Sequence, residues 1–177
     1  MKKKFLSIFY AFLATLLITT SAGAGGSVKL SSATFSLGSL IAKGTLTGLG
    51  KADTVQVVLM ASGPADVTCT NGGSNAVPGQ SSPKVSAFGQ QDLSGSNGLL
   101  KNGKSEFGVE TVDPETVAWK EAGCPNPTWT GYIDFIYWNA ATITVRDTLT
   151  NAVLLEQRYV CTTTRYPSPA VSCTPVS

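Results

Sequence analysis

Histidine is absent from this 177-residue sequence. That absence removes Ser-His-Asp and Cys-His catalysis and the commonest metal ligand together. The groups left to do chemistry are eleven carboxylates and four cysteines. Asp134 stands out among the carboxylates. It lies inside the run WTGYIDFIYWNAATITVR (129–146), where strict alternation puts it on one face with Thr130, Tyr132 and Trp138. Glu106, Glu110, Asp113, Glu115 and Glu121 follow one another closely upstream. Two carboxylates facing each other across a cleft make the acid/base pair of a glycosidase. Against that, an acid in a strand ordinarily faces solvent or pairs with a cation across the strand, and eleven acids produce such neighbours freely. No catalytic residue is assigned on this pattern.

The aromatic residues around Asp134 suggest a different chemistry. Tyr132 and Trp138 share its face by parity, and Trp119 and Trp129 lie nearby in sequence. Flat amphipathic rings beside polar groups stack on sugar rings or peptide planes. Trp119, Tyr132, Asp134 and Trp138 are therefore the candidate binding residues. The plainer alternative is core packing for Trp129 and partial surface cover for the rest.

Cys69, Cys124, Cys161 and Cys173 have neither the paired CxxC spacing nor the histidines of a zinc site, so no metal is expected. The Asp92–Gly98 run faintly echoes a calcium loop, but it has one acid and no bidentate glutamate at the twelfth position. No cofactor is implied. An even cysteine count in an exported chain reads as two disulfides. Of the three pairings, Cys161–Cys173 closing a short hairpin is preferred, which leaves Cys69–Cys124.

The elements that must position these residues are strands. Val28–Leu30 with Ala33–Leu37, Leu40–Thr47, Thr54–Ala61 and Asp66–Thr70 alternate or carry β-branched residues, with Ser62-Gly63-Pro64-Ala65 reading as a break. Residues 71–91 read mainly as loop with one short strand over 84–88. Asn102-Gly103 between apolar runs predicts a type I′ hairpin joining strands at 98–101 and 104–112. Asp113-Pro114-Glu115 opens the single helical candidate, Pro114 to Ala122, which Gly123 stops. The run 129–146 reads as a central hairpin turning at Asn139-Ala140-Ala141, and 153–161 leads to a final strand carrying Cys173. About nine or ten short antiparallel strands with at most one short helix predict an all-β protein. An immunoglobulin-like β-sandwich is expected, with a barrel as the alternative.

Residues 1–24 read as a secretory signal peptide. Lys2-Lys3-Lys4 precedes an apolar run from Phe5 to Ile18, and Ala22-Gly23-Ala24 offers a cleavage point after Ala24. Residues 25–177 then form a single β-sandwich domain, secreted or periplasmic, with no stable membrane insertion after cleavage. Thirteen Lys and Arg less the three of the leader leave ten, against eleven Asp and Glu. A near-neutral chain without basic clusters has no electrostatic footprint for nucleic acid.

Three stretches carry a resemblance: SVKLSSATFSLGSLIAKGTLTGLG ending at Gly50, VTCTNGGSNAVPGQ (67–80), and Gly123-Cys124-Pro125-Asn126-Pro127-Thr128-Trp129 with Tyr159-Val160-Cys161. Together they resemble a loose group of secreted bacterial single-domain β proteins of similar size. The resemblance implies export and one domain, and carries no activity. Three functions follow in order of expectation. The first is a secreted non-catalytic domain binding an extracellular protein or glycan. The second is a structural or adhesive envelope protein assembling through sheet edges. The third is a carboxylate-dependent hydrolase.

Overall fold

The computed structural model describes residues 27–50, 54–97 and 99–177. The expected leader, residues 1–24, lies outside the described residues. Among the described residues there are twelve strands: β1 (Lys29–Ser36), β2 (Ile41–Thr47), β3 (Thr54–Asn71), β4 (Ala76–Pro78), β5 (Lys84–Ser94), β6 (Leu100–Lys101), β7 (Lys104–Glu110), β8 (Thr116–Val117), β9 (Trp129–Ile136), β10 (Ala140–Asp147), β11 (Val153–Thr164) and β12 (Ala170–Pro175). No helix occurs among the described residues. The strands form two antiparallel sheets, one ordered β1-β2-β7-β6 and one ordered β12-β11-β10-β3-β9-β8, with β4 and β5 also on β3. They do not close into a barrel.

One buried cluster joins the sheets. Leu46, Phe107 and Val109 come from the smaller sheet, and Val55, Val57, Leu59, Ile143 and Val145 from the larger. Each fully buried aliphatic chain of this kind contributes roughly 1.5–3 kcal/mol. Phe35 of β1 also meets Tyr159 of β11 edge to face, with ring centroids 4.9 Å apart.

The organising element is β3, an unbroken strand of 18 residues. Ser62-Gly63-Pro64-Ala65 is not a break, and Thr54–Ala61 and Asp66–Thr70 are one strand. At Gly63-Pro64 the strand instead exchanges neighbours: β5 and β10 flank it before this point, β4 and β9 beyond it. A Cβ on Gly63 would lie 2.0 Å from the Tyr137 carbonyl oxygen, so only glycine admits the passing chain. The run 129–146 is correspondingly not a hairpin. β9 and β10 are both antiparallel to β3 and follow one another along its length. The Tyr137 and Asn139 amides continue the ladder by donating to the Pro64 and Ser62 carbonyls, at 2.8 and 3.0 Å. The apparent turn is a jog opposite Gly63-Pro64.

Two further expectations are revised. Residues 71–91 hold β4 and the first part of β5, which continues to Ser94. Its inward positions include Ala87 and Gly89, too small to mark a hydrophobic period. Pro114–Ala122 is not a helix either. Thr116-Val117 pairs with β9, and what remains is one turn over 118–122. The Gly123 amide donates to Lys120 and the Cys124 amide to Trp119, a Schellman closure. The Asn102-Gly103 turn is as expected, with φ of 51° and 68°. Both expected disulfides are present, Cys69–Cys124 and Cys161–Cys173.

Candidate functional site

A recess of about 560 Å³ lies beside β9. Its lining combines Tyr132, Asp134, Ile136 and Trp138 with Asp113 and Glu115 of the segment before β8, Leu37 of the β1–β2 turn, and Pro169 of the β11–β12 loop. Four separate parts of the chain therefore meet here. β8 covers β9 only at Gly131 and Tyr132, and the Ile133 amide donates to the Glu115 carbonyl at 2.9 Å. β11 takes over at Asn139, whose carbonyl accepts the Cys161 amide at 3.0 Å. Between these two, Asp134 to Tyr137 has no strand on its outer edge among the described residues.

A β-bulge decides which side chains reach this recess and how. Val67 pairs with Ile133 and Asp66 with Phe135, so Asp134 is the extra residue. A bulge of this kind shifts the alternation by one position. Before it the even residues Thr130, Tyr132 and Asp134 are exposed, while after it Ile136 and Trp138 turn inward. Trp138 is accordingly 1% exposed and does not share an open face with Tyr132, which is 47% exposed. The expected exposed pair of Tyr132 and Trp138 is thus not formed, and Trp138 instead belongs to the core under the recess. Trp119 is half-buried against the core and is not part of the lining. Of the four candidate residues, Tyr132 and Asp134 are brought together at the mouth.

The carboxylates have different settings. The Thr68 hydroxyl donates to Asp134 Oδ2 at 2.7 Å, and Asp134 as a whole is exposed. Asp113 is half-buried, and that burial raises its pKa, with Glu110 adding to the rise and the Thr111 hydroxyl opposing it. Thr111 Oγ1 donates to Asp113 Oδ1 at 2.8 Å and accepts the Leu40 amide at 3.0 Å. Asp113 thus ends a hydrogen-bonded chain that ties the entry of β2 to the segment before β8. No group of three or more metal-ligating side chains occurs among the described residues.

A second polar cluster flanks the recess and was not evident from the sequence. Arg165 Nη1 meets Asp66 Oδ2 at 2.8 Å, and the Tyr137 hydroxyl donates to the same oxygen at 2.9 Å. The guanidinium also sits 5.3 Å from the Phe135 ring centroid. The Tyr137 hydroxyl is the main influence pushing the Arg165 pKa further up, so the group stays charged. The available signal was Asp66, a lone charge within an otherwise uncharged run.

No relative identifies the chain. No protein-family model matches it, and neither does any curated protein or solved structure.

Proposed function

We propose that this protein is a secreted, non-catalytic recognition domain that holds its ligand in the recess beside β9. The observation that carries the reading is the pairing of exposed Tyr132 with the open carboxylate of Asp134 at the mouth of a concavity floored by buried Ile136 and Trp138. Concave sites with an apolar floor and a few convergent polar groups are the usual form of a ligand site. Export is supported by the two disulfides, which persist in oxidising compartments. We read the two packed antiparallel sheets as a single immunoglobulin-like sandwich domain.

The test is binding of the purified protein to a glycan array and a peptide array in parallel, with Tyr132→Ala and Asp134→Asn beside the wild type. Specific binding lost in both variants supports the recess. Binding retained in both removes it from the reading.

A hydrolase reading has one observation in its favour: Asp113, with its raised pKa, lines the same recess as Asp134. It ranks second because the Asp113 carboxylate is engaged by Thr111. Turnover of arrayed glycans that is abolished by Asp113→Asn would put it first.

A further inference from the structure

Ala65 of β3 donates its amide to the Pro83 carbonyl at 3.0 Å, on the side of β3 away from β9. In an antiparallel ladder, residues directly opposite either bond to each other or both face away. Ile136 is the residue opposite Ala65, so its N–H and C=O point away from β3, to the side of β9 on which β8 lies, and Ile136 is among the residues that line the recess. Ile136 is 7% exposed. A backbone donor and acceptor at so buried a residue ordinarily have partners, yet no strand runs along this edge among the described residues. The window is Asp134 to Tyr137, about 13 Å at the rise of a strand. It ends at β8 on one side and at β11 on the other, so it is a gap in a sheet edge rather than a free edge.

We infer that this gap receives an extended peptide segment of a partner protein, which adds as a short strand opposite Ile136 and presents a lysine or arginine to the recess. The inference rests on the recess being the binding site and names its ligand class. Strand addition supplies main-chain hydrogen bonds for affinity, and flanking pockets then select alternate side chains. The charge of the recess makes that selection. Asp113, Glu115 and Asp134 line it, and among the described residues no Lys or Arg does. Arg165, 5.3 Å from the ring centroid of the lining residue Phe135, is engaged by Asp66. Tyr132 stands where the aliphatic stem of a basic side chain would lie across its ring. A glycan would use Tyr132 and Asp134 equally well but would leave the Ile136 amide and carbonyl without the in-line partners that a peptide backbone provides.

The experiment uses immobilised octapeptides with basic, acidic or neutral residues at alternate positions, each also made with N-methylated alternate amides, and a glycan array as a further arm. Alternating basic peptides are expected to bind, and Asp134→Asn with Glu115→Gln to weaken them about tenfold. N-methylation in the pairing register is expected to abolish binding, and the Ile136 amide is expected to exchange more slowly with solvent when peptide is bound. That last readout depends on no mutation and so is independent of misfolding. Peptide binding indifferent to N-methylation, or an Ile136 amide unchanged on binding, overturns strand addition. Glycan binding that needs Tyr132 and Asp134 overturns the peptide while keeping the recess. Binding in neither arm overturns both.

Discussion

Trp138 keeps 1% of its surface in solvent and Tyr132 keeps 47%, so truncation has unequal consequences at two residues of the same strand line. Trp138→Ala removes a fully buried indole beneath the recess and should cost about 3–5 kcal/mol. Tyr132→Ala removes a side chain that is about half in water and should cost much less, about 1 kcal/mol or under. Urea denaturation of the two variants separates these outcomes, and equal losses would mean that the bulge at Asp134 has been misplaced. Asp113 provides a test by pH. Burial raises its pKa in the folded protein, so the fold binds the proton more tightly than the unfolded chain does. The Asp113 contribution to stability is then greatest below the ordinary carboxylate value of 3.8, falls as pH rises through the raised pKa, and carries the full penalty above it. Asn in its place can still accept the Thr111 hydroxyl but never ionises. Asp113→Asn should therefore melt higher than wild type at pH 7 and lose the part of the pH slope just above 3.8. A lower melting temperature at pH 7 would show that the charge contributes more through Thr111 than burial costs.

Elements whose determinants are local were legible in the sequence, and those decided by a neighbouring backbone were not. Asn102-Gly103 specifies its own turn, because both residues take positive φ. Gly63-Pro64 looks like punctuation under the same logic. It is a passing place only because β9 and β10 run beside it, which no window along β3 contains. The binding candidates divide in the same way. Tyr132 and Asp134 precede the phase shift, so parity puts them on their true face, whereas Trp138 follows it and parity alone assigns it to the opposite side. The helical candidate had a good cap but too short a run, and Thr116-Val117 pairs with β9 instead. Gly63 makes the point testable. A methyl group there meets the Tyr137 carbonyl at 2.0 Å, so β3 and the β9–β10 line must separate where they are joined by the Tyr137 and Asn139 amides. Gly63→Ala should cost about 1–3 kcal/mol and speed hydrogen exchange first at those two amides. A loss confined to the β6–β7 turn would contradict the continuous ladder.

At the scale of the whole molecule the two disulfides serve the two walls of the recess. Cys69–Cys124 fastens the end of the segment that carries Asp113 and Glu115 to β3, and closes a separation of 55 residues. Cys161–Cys173 joins directly opposed residues of β11 and β12 and closes 12 residues, including Pro169. Loop entropy grows only with the logarithm of length, so the long closure is worth about 4 kcal/mol and the short one about 3 kcal/mol. The difference in stability is small, but the structural difference is not. Among the described residues, segment 111–128 pairs with the sheets through the two-residue β8 and one bridge at Val112, whereas β12 has a six-residue ladder with β11. Replacing Cys69 and Cys124 by Ala should therefore cost about 4 kcal/mol and also release the Glu115 carbonyl from the Ile133 amide, read as faster exchange at Ile133. Replacing Cys161 and Cys173 by Ala should cost about 3 kcal/mol and leave Ile133 unchanged. If Ile133 exchanges alike in both variants, the acidic wall is held by its own packing, and the long disulfide acts on the unfolded chain alone.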